Sequence, residues 1–333
     1  MSAEGSRRAS GRAGVREVAA LAGVSTQTVS RVINDRPSIR RETRQRVLDA
    51  MDALGYRVNN AARALGTHRT RTLGVIASDA ALYGPSAGIA ALEAAARAAG
   101  LWITTAYADA ADAASVSDAA RHLRAQGVDG IVAVAAHART LDVLARVADD
   151  VPVAALHAGA AAVVQREGAA LAVRHLVALG HRRIARVAGP ARWLEAAERD
   201  AGVALELTAH DLAGGPRWEG DWSAAAGAGL AASVARALAA PGGATAVVVA
   251  NDQMALGLMA GLRARGIAVP GEVSVTGFDD NPDAAFYRPA LTTVRIDVAA
   301  DARRAVAEIL GSPVPSAPPA PVLVPRESTA PPA

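Results

Sequence analysis

Short apolar segments of strand length alternate with alanine-rich segments of helical length through most of the chain. The first of these segments is TLGVIAS at 72–78. Similar segments follow: LWITTAY (101–107), GVDGIVAVA (127–135), VPVAAL (151–156), IARVAG (184–189), AVVVAN (246–251) and VSVTGFD (273–279). Such alternation is typical of parallel sheets connected by helices. Because these units are too many for one small sheet, the sequence predicts an α/β body of two lobes that face a cleft.

The composition limits the class of protein. With 333 residues, 51% of them hydrophobic, the chain can form two or three domains with large cores. It has no cysteine, which excludes disulfides and thiolate metal sites. No apolar run approaches the ~18 residues of a membrane span, and the N-terminus has no apolar signal region. We therefore expect a cytoplasmic protein that needs no membrane, cofactor or metal.

Positive charge is concentrated at the N-terminal end. Residues 1–71 contain 14 arginines against 6 acidic residues, a surplus of 8 positive charges, although the whole chain has a net charge of only +3. A basic N-terminal region on a mildly acidic body favours contact with a polyanion. The chain has arginine and no lysine, and arginine suits forked contacts to phosphate or guanine.

Residues 15–56 are predicted to form three short helices, at about 15–22, 26–34 and 41–54. Ser25 is placed to cap the second helix, and Gly55 follows the third where a terminating glycine is common. The polar segment 1–13 before them is expected to be disordered.

The first two helices, separated by a Gly-Val-Ser break, indicate a helix-turn-helix that places its second helix in the major groove. We expect four apolar residues, Ala19, Leu21, Val24 and Val29, to be buried. The residues expected to contact DNA are Ser25, Thr26, Gln27, Ser30, Arg31 and Asn34. Glutamine can bind adenine edges, and arginine can bind guanine or phosphate. The alternative is a small three-helix bundle with no DNA contacts.

Several motifs resemble a known family. The segments AGVSTQTVSRVIND and TRQRVLDAMDALGY resemble the DNA-binding domain of the lactose-repressor (LacI/GalR) family. Four further segments resemble the body of the same family: HLVALGHRRIARVAGP, EGDWSA, VANDQMALG and SVTGFDDNPDAAFYRPALTTVRID.

The resemblance implies an α/β fold in three parts. An N-terminal helix-turn-helix domain of three helices lies at 14–57, and a hinge or linker follows at 58–71. The two-lobed body, similar to periplasmic binding proteins, lies at 72–328. A flexible tail at 329–333 follows.

The resemblance also implies a role for the linker. In the family this segment forms a short hinge helix on operator DNA, and a leucine enters the central minor-groove step. Leu65 matches that leucine, with Asn59 and Ala62 among its neighbours, and an apolar wedge of this kind bends the duplex. Val58 stands where the family usually has proline. The alternative is a plain flexible linker.

The resemblance further implies a sugar site in the cleft, where an aromatic ring contacts the apolar sugar face and polar groups bind hydroxyls. The matching residues are Ser78, Arg199, Trp222, Asn251 and Asp279. Each of three has another possible role: Asp279 could cap a turn, Trp222 could be core, and Arg199 could form a surface ion pair.

Three positions depart from the family pattern. His157 replaces a cleft aspartate, Val134 replaces an asparagine, and Val298 replaces an aromatic ring. His157 is included among the expected effector contacts. The sequence offers no second metal ligand at a suitable spacing from it, so a metal site there is not expected.

The expected function is a sequence-specific repressor that a small sugar, of the galactoside type, releases from a pseudo-palindromic operator. We expect a homodimer, because the proline-rich C-terminal segment has no leucine heptad for a tetramer. The alternatives are a regulator of this type with a non-sugar effector such as a nucleoside, or a sugar-binding protein without a regulatory role. A sugar-processing enzyme is not expected, because no phosphate loop, nucleophile elbow or carboxylate pair occurs in a motif context.

Overall fold

The computed structural model describes residues 13–34, 38–57, 69–314 and 317–333. The chain divides into two compact units, Met1–Thr70 and Arg71–Ala333. The predictions on Asn59, Ala62 and Leu65 lie outside the described residues, as does nearly all of the segment 1–13.

The first unit has three helices: α1 (Val15–Ala22), α2 (Thr26–Ile33) and α3 (Arg41–Ala53). Their bounds agree with the predicted helices to within one residue. Their small core consists of Val18, Ala19, Ala22, Val29, Val32, Val47 and Ala50. The prediction that Leu21 is buried is wrong, since its side chain is 56% exposed. The buried face of α1 runs along 18, 19 and 22, and Leu21 lies beyond its edge. Val24 is only half-buried.

The turn between α1 and α2 explains the Gly-Val-Ser break. Gly23 has a φ of 64°, a left-handed conformation that glycine adopts without steric cost. The Val24 backbone N–H then donates to the Ala19 carbonyl over 3.0 Å. Ser25 caps α2, as predicted, because its hydroxyl accepts from the Thr28 backbone N–H over 3.1 Å. The turn is therefore fixed by backbone geometry and one side-chain cap.

The second unit begins with a lobe built on a parallel sheet of order β2-β1-β3-β4. Its strands are β1 (Thr72–Ala77), β2 (Trp102–Tyr107), β3 (Gly130–Val134) and β4 (Val153–Ala155). Its helices are α4 (Tyr83–Ala98), α5 (Ala113–Ala125) and α6 (Ala138–Val147). Strand β3 is buried along its whole length, which accounts for its unbroken apolar sequence.

The other lobe has a parallel sheet of order β6-β5-β7-β8. Its strands are β5 (Ile184–Ala188), β6 (Arg217–Glu219), β7 (Ala246–Val249) and β8 (Ser274–Thr276). Its helices are α7 (Ala162–Ala178), α8 (Leu194–Ala209), α9 (Ala224–Ala239) and α10 (Asp252–Arg263). The two parallel sheets confirm the predicted α/β body.

A small antiparallel pair completes this unit, formed by β9 (Thr293–Arg295) and β10 (Val322–Val324). In the sequence between these two strands lies α11 (Val298–Leu310), which packs against α4 and β4 of the first lobe. The predicted flexible tail is corrected in part. The Ala330 backbone N–H donates to the Ser274 hydroxyl over 3.0 Å, and the Thr329 hydroxyl is hydrogen-bonded to Thr292, so these residues are held against the second lobe.

In both lobes, the segments that follow the strands meet at the carboxyl edges of the sheets, where open α/β folds bind ligands. Ala135 follows β3 and His157 lies just beyond β4, while Asn251 and Asp279 lie just beyond β7 and β8. Within the described ranges, no helix is long and apolar enough to cross a membrane.

Candidate functional site

Helix α2 presents a polar, solvent-exposed face. The exposed residues are Ser25, Thr26, Gln27, Ser30 and Arg31. Val29 and Val32, on the opposite face, are buried in the core of the unit. Asn34 is half-buried at the end of the helix, where its amide donates to the Ser30 hydroxyl over 3.4 Å. The helix has no acidic residue, so nothing along it repels a phosphate backbone.

A cleft that is open to solvent lies between the two lobes of the second unit. Its wall includes Leu82, Tyr83, Val134, His157, Trp193, Glu195, Arg199, Trp222, Asn251, Asp279, Ile296 and Val298. The cleft combines two tryptophans with several buried charged groups. Such a combination of aromatic surface and a few fixed polar groups is typical of small-molecule sites.

Arg199 is the centre of the polar part of the cleft. Its guanidinium donates to the Gln165 side-chain oxygen over 2.8 Å, to the Ala250 carbonyl over 2.6 Å and to the Asp279 carboxylate over 3.1 Å. It also lies 3.8 Å from the centre of the Phe278 ring, which is a cation–π contact. These contacts exclude the alternative of a surface ion pair, because the residue is only 6% exposed.

Asp279 lies opposite Arg199 in an unusual backbone conformation, with a φ of 108°. Burial raises the pKa of its carboxyl group, although the charges of Arg199 and His157 act in the opposite direction. Asp279 is therefore a largely buried carboxylate that is paired with Arg199.

Trp222 is 4% exposed and packs edge-on against Trp193, with 5.6 Å between the ring centres. A Cβ atom added at Gly189 would lie 2.2 Å from the Trp222 ring, so glycine is required there. The Trp222 indole N–H is buried and has no acceptor among the described residues. Trp222 both packs in the core and lines the cleft, so the two alternatives considered for it are not exclusive.

Asn251 lies in the cleft wall as expected, but its side chain is occupied. Its oxygen accepts from the Met254 backbone N–H over 2.9 Å and thereby caps α10. Its amide donates to the Trp222 carbonyl over 3.0 Å. In addition to the expected contact with ligand hydroxyls, Asn251 holds the backbone of Trp222, whose φ is 75°.

His157 also lines the cleft, and Asp301 of α11 fixes it. The Asp301 carboxylate lies 3.2 Å from Nδ1 of the ring and accepts from the His157 backbone N–H over 2.7 Å. Burial alone would lower the pKa of the imidazole, but the hydrogen bond and charge of Asp301 outweigh it, and the pKa is raised. The imidazole of His157 therefore stays protonated to a higher pH than an ordinary histidine side chain.

Ser78 is the one expected contact that the structure does not bring into the cleft wall. Its hydroxyl donates to the Ala135 carbonyl over 3.2 Å, and its side chain is buried. The residue ties the segment after β1 to the segment after β3, and Ala135 in that second segment lines the cleft.

Sequence reasoning missed Trp193, Glu195 and Tyr83, all of which line the cleft. The backbone N–H of Tyr83, in the first lobe, donates to the Gln253 side chain in the second over 3.1 Å. Trp193 could have been suspected, because aromatic residues make up only 3% of the chain.

Comparison with known proteins gives the context of both sites. Residues 15–59 match the family of bacterial regulatory proteins of the lacI type, and residues 173–329 match the periplasmic binding protein-like domain. Over 293 residues the chain is 35% identical to the lactose operon repressor of Escherichia coli (strain K12), an alignment that covers 84% of this chain and 79% of that protein. The chain belongs to the LacI family.

Other LacI-family members are similarly related. HTH-type regulator MalR of Streptomyces coelicolor (strain ATCC BAA-471 / A3(2) / M145) is 35% identical over 90% of this chain and 91% of its own length. The lac repressor dimer bound to operator and the anti-inducer ONPF superposes with a TM-score of 0.78 at 30% identity, covering 96% of this chain and 100% of that one. A CelR–cellobiose complex superposes with a TM-score of 0.66 at 27% identity, covering 95% and 100%.

These relatives are transcriptional regulators and not enzymes. This LacI-family chain is accordingly a DNA-binding transcriptional regulator with a helix-turn-helix domain and a periplasmic-binding-protein-like body.

Proposed function

We propose that this regulator represses transcription as a homodimer on a pseudo-palindromic operator, and that a small glycoside of the galactoside type releases it. The observation that carries the proposal is the composition of the cleft. Trp222 supplies a rigid aromatic surface beside the buried Arg199–Asp279 pair. A pyranose ring offers an apolar face to an indole and hydroxyls to fixed charged groups.

The face of α2 supports the operator part of this proposal. Gln27 and Arg31 are exposed and lie four residues apart, so they share one face of the helix and can reach neighbouring base edges together. A dimer presents two such helices, which is why the site on DNA is proposed to be a pseudo-palindrome.

Exposed apolar side chains on the body support the homodimer. On β2, which forms the edge of its sheet, Trp102 and Tyr107 are 64% and 67% exposed. In the other lobe, Phe286 is 74% exposed and Leu256 is 37% exposed. Large exposed apolar residues at a sheet edge and on a second lobe favour burial against another copy.

Release by the sugar requires that the ligand bind the DNA-incompetent state more tightly than the DNA-bound state. The cleft is suited to this, because its wall takes residues from both lobes and a bound ligand therefore biases their relative position.

Operator release tests the proposal. Full-length protein bound to duplexes from its own upstream region is titrated with galactosides, other glycosides and nucleosides, and anisotropy reports release. We expect a galactoside to act, Trp222→Ala to raise the concentration required at least about tenfold, and Trp222→Phe to retain part of the response. Release by nucleosides alone, or an unchanged response of Trp222→Ala, would refute the sugar assignment.

A further inference from the structure

Glu195 is an acidic residue of the cleft wall that forms no ion pair within the part of the chain that the structure describes. It lies in the first turn of α8 and is only 8% exposed. Among the described residues, no other side chain donates a hydrogen bond to its carboxylate or forms an ion pair with it; the donor that reaches it is its own backbone N–H. The remaining exposed part of the residue borders the cleft.

Each of the two cations in the cleft wall already has a carboxylate partner, Asp279 in the wall itself and Asp301 on α11. Arg199 is paired with Asp279 over 3.1 Å, and His157 is paired with Asp301 over 3.2 Å. Glu195 is the remaining ionisable carboxylate in the wall. The cleft therefore offers a ligand an acceptor that is not in use, whereas both of its cations already have carboxylate partners.

Two other buried acidic side chains in the first turns of helices have hydrogen-bond partners within the protein. Asp252 of α10 accepts from the Thr293 hydroxyl over 2.5 Å and from the Asn281 backbone over 2.7 Å. Asp301 of α11 is bound by Arg304 over 2.7 Å and by His157. An ionised carboxylate that is buried without such partners is costly. Burial raises the pKa of Glu195 accordingly, although the charges of His157 and Arg199 act in the opposite direction. A ligand that donates to it would remove that cost.

We propose that Glu195 is the specificity-determining acceptor of this cleft: it accepts a hydrogen bond from a hydroxyl or ammonium group of the effector and excludes effectors that carry a carboxylate or phosphate. An anionic ligand would meet Glu195 and Asp279 together, with no unpaired cation in the wall to balance it. The assignment rests on the proposed function in one respect, that the cleft is the effector site.

A purely structural role makes a different prediction. An acid in the first turn of a helix is stabilised by the helix dipole. In that case, removing the charge would change the stability of the body slightly and would leave the choice between neutral, cationic and anionic sugars unaltered.

The experiment compares galactose, galactosamine and galacturonate, and the matching glucose series, by calorimetric titration of the full-length protein. The variants are Glu195→Gln, which keeps the shape and removes the charge, and Glu195→Asp, which keeps the charge. Glu198→Gln is the matched control, because Glu198 lies on the same helix and pairs with Arg166 outside the cleft wall. Melting temperature and operator affinity establish that each variant is folded.

We expect wild type to bind the neutral sugar and to show no measurable binding of the uronate. In Glu195→Gln, the affinity for the amino sugar relative to the neutral sugar should fall at least about tenfold, and the uronate should become detectable. Glu195→Asp and Glu198→Gln should still exclude the uronate. If wild type binds a neutral sugar and Glu195→Gln gives the same three affinities, this inference is overturned while the proposed function stands. If no sugar binds to wild type, the proposed function fails and the inference fails with it.

Discussion

Replacing Asn251 by alanine tests whether this residue positions Trp222. The Asn251 side chain is 5% exposed and makes two hydrogen bonds, one to the Met254 backbone N–H and one to the Trp222 carbonyl. Alanine makes neither. The substitution therefore removes the cap of α10 and the support of the cleft tryptophan together.

The size of the effect follows from these two bonds. Loss of an asparagine cap costs about 0.5–2 kcal/mol. The Trp222 carbonyl loses its amide donor in a buried setting, which costs about 1–3 kcal/mol. We therefore expect Asn251→Ala to lower the free energy of unfolding of the body by about 2–4 kcal/mol. Asn251→Ser keeps a capping oxygen and loses only the bond to Trp222, so its loss should be about half as large.

Urea unfolding followed by circular dichroism measures the stability, and calorimetry with the active sugar measures the effector affinity. We expect both variants to weaken effector binding, because both release the Trp222 backbone, while only the alanine variant also loses the cap. An Asn251→Ala protein within about 0.5 kcal/mol of wild type would show that the two hydrogen bonds do not act as described.

Gly189→Ala places a methyl group against the Trp222 ring, so it should abolish the effector response while operator affinity persists; an unchanged response in the release assay would show that the ring moves freely. Gln27→Ala should cost about 1–3 kcal/mol at one half-site position, and an equal loss on specific and random duplexes would contradict base contact. The pKa of His157 is raised in the folded chain. The pairing of protonated His157 with Asp301 therefore stabilises the folded state fully below the usual histidine pKa, and this stabilisation is lost as the pH rises through the raised pKa. From about pH 6 to about pH 9, wild type should lose more free energy of unfolding than His157→Gln; parallel unfolding curves would exclude this linkage.

The helices and most strands could be predicted because their signals are local. The N-terminal unit combines a capping serine, a glycine in a left-handed turn and a regular apolar spacing, and these agree with one another over a few residues. The strands of the two sheets are apolar runs between helices of regular length. The three-residue strands β6 and β9 were missed, because RWE and TVR have neither the length nor the alternation of an independent signal.

The family resemblance predicted the positions of the cleft residues more reliably than their contacts. Arg199, Trp222, Asn251 and Asp279 all lie in the cleft wall, as that resemblance implies. What each side chain binds depends on partners far away in the chain. Asn251 bonds to a carbonyl 29 residues before it, and no local pattern encodes such a distance.

The effect of a residue that departs from the family pattern also depends on its neighbours in the folded cleft. His157 and Val134 suggest that the cleft has lost two polar groups, and from the sequence alone that implies weaker binding of hydroxyls. In the structure, Glu195 lines the same cleft, and its carboxylate lies close enough to His157 for the charge of the imidazole to lower its pKa. A hydroxyl acceptor removed from one strand end can thus be replaced from the first turn of a helix 38 positions further along the chain. If Glu195 has the proposed role, the cleft keeps an acceptor for a ligand hydroxyl despite the changes at His157 and Val134, and the donor that the effector presents at this wall decides whether it binds.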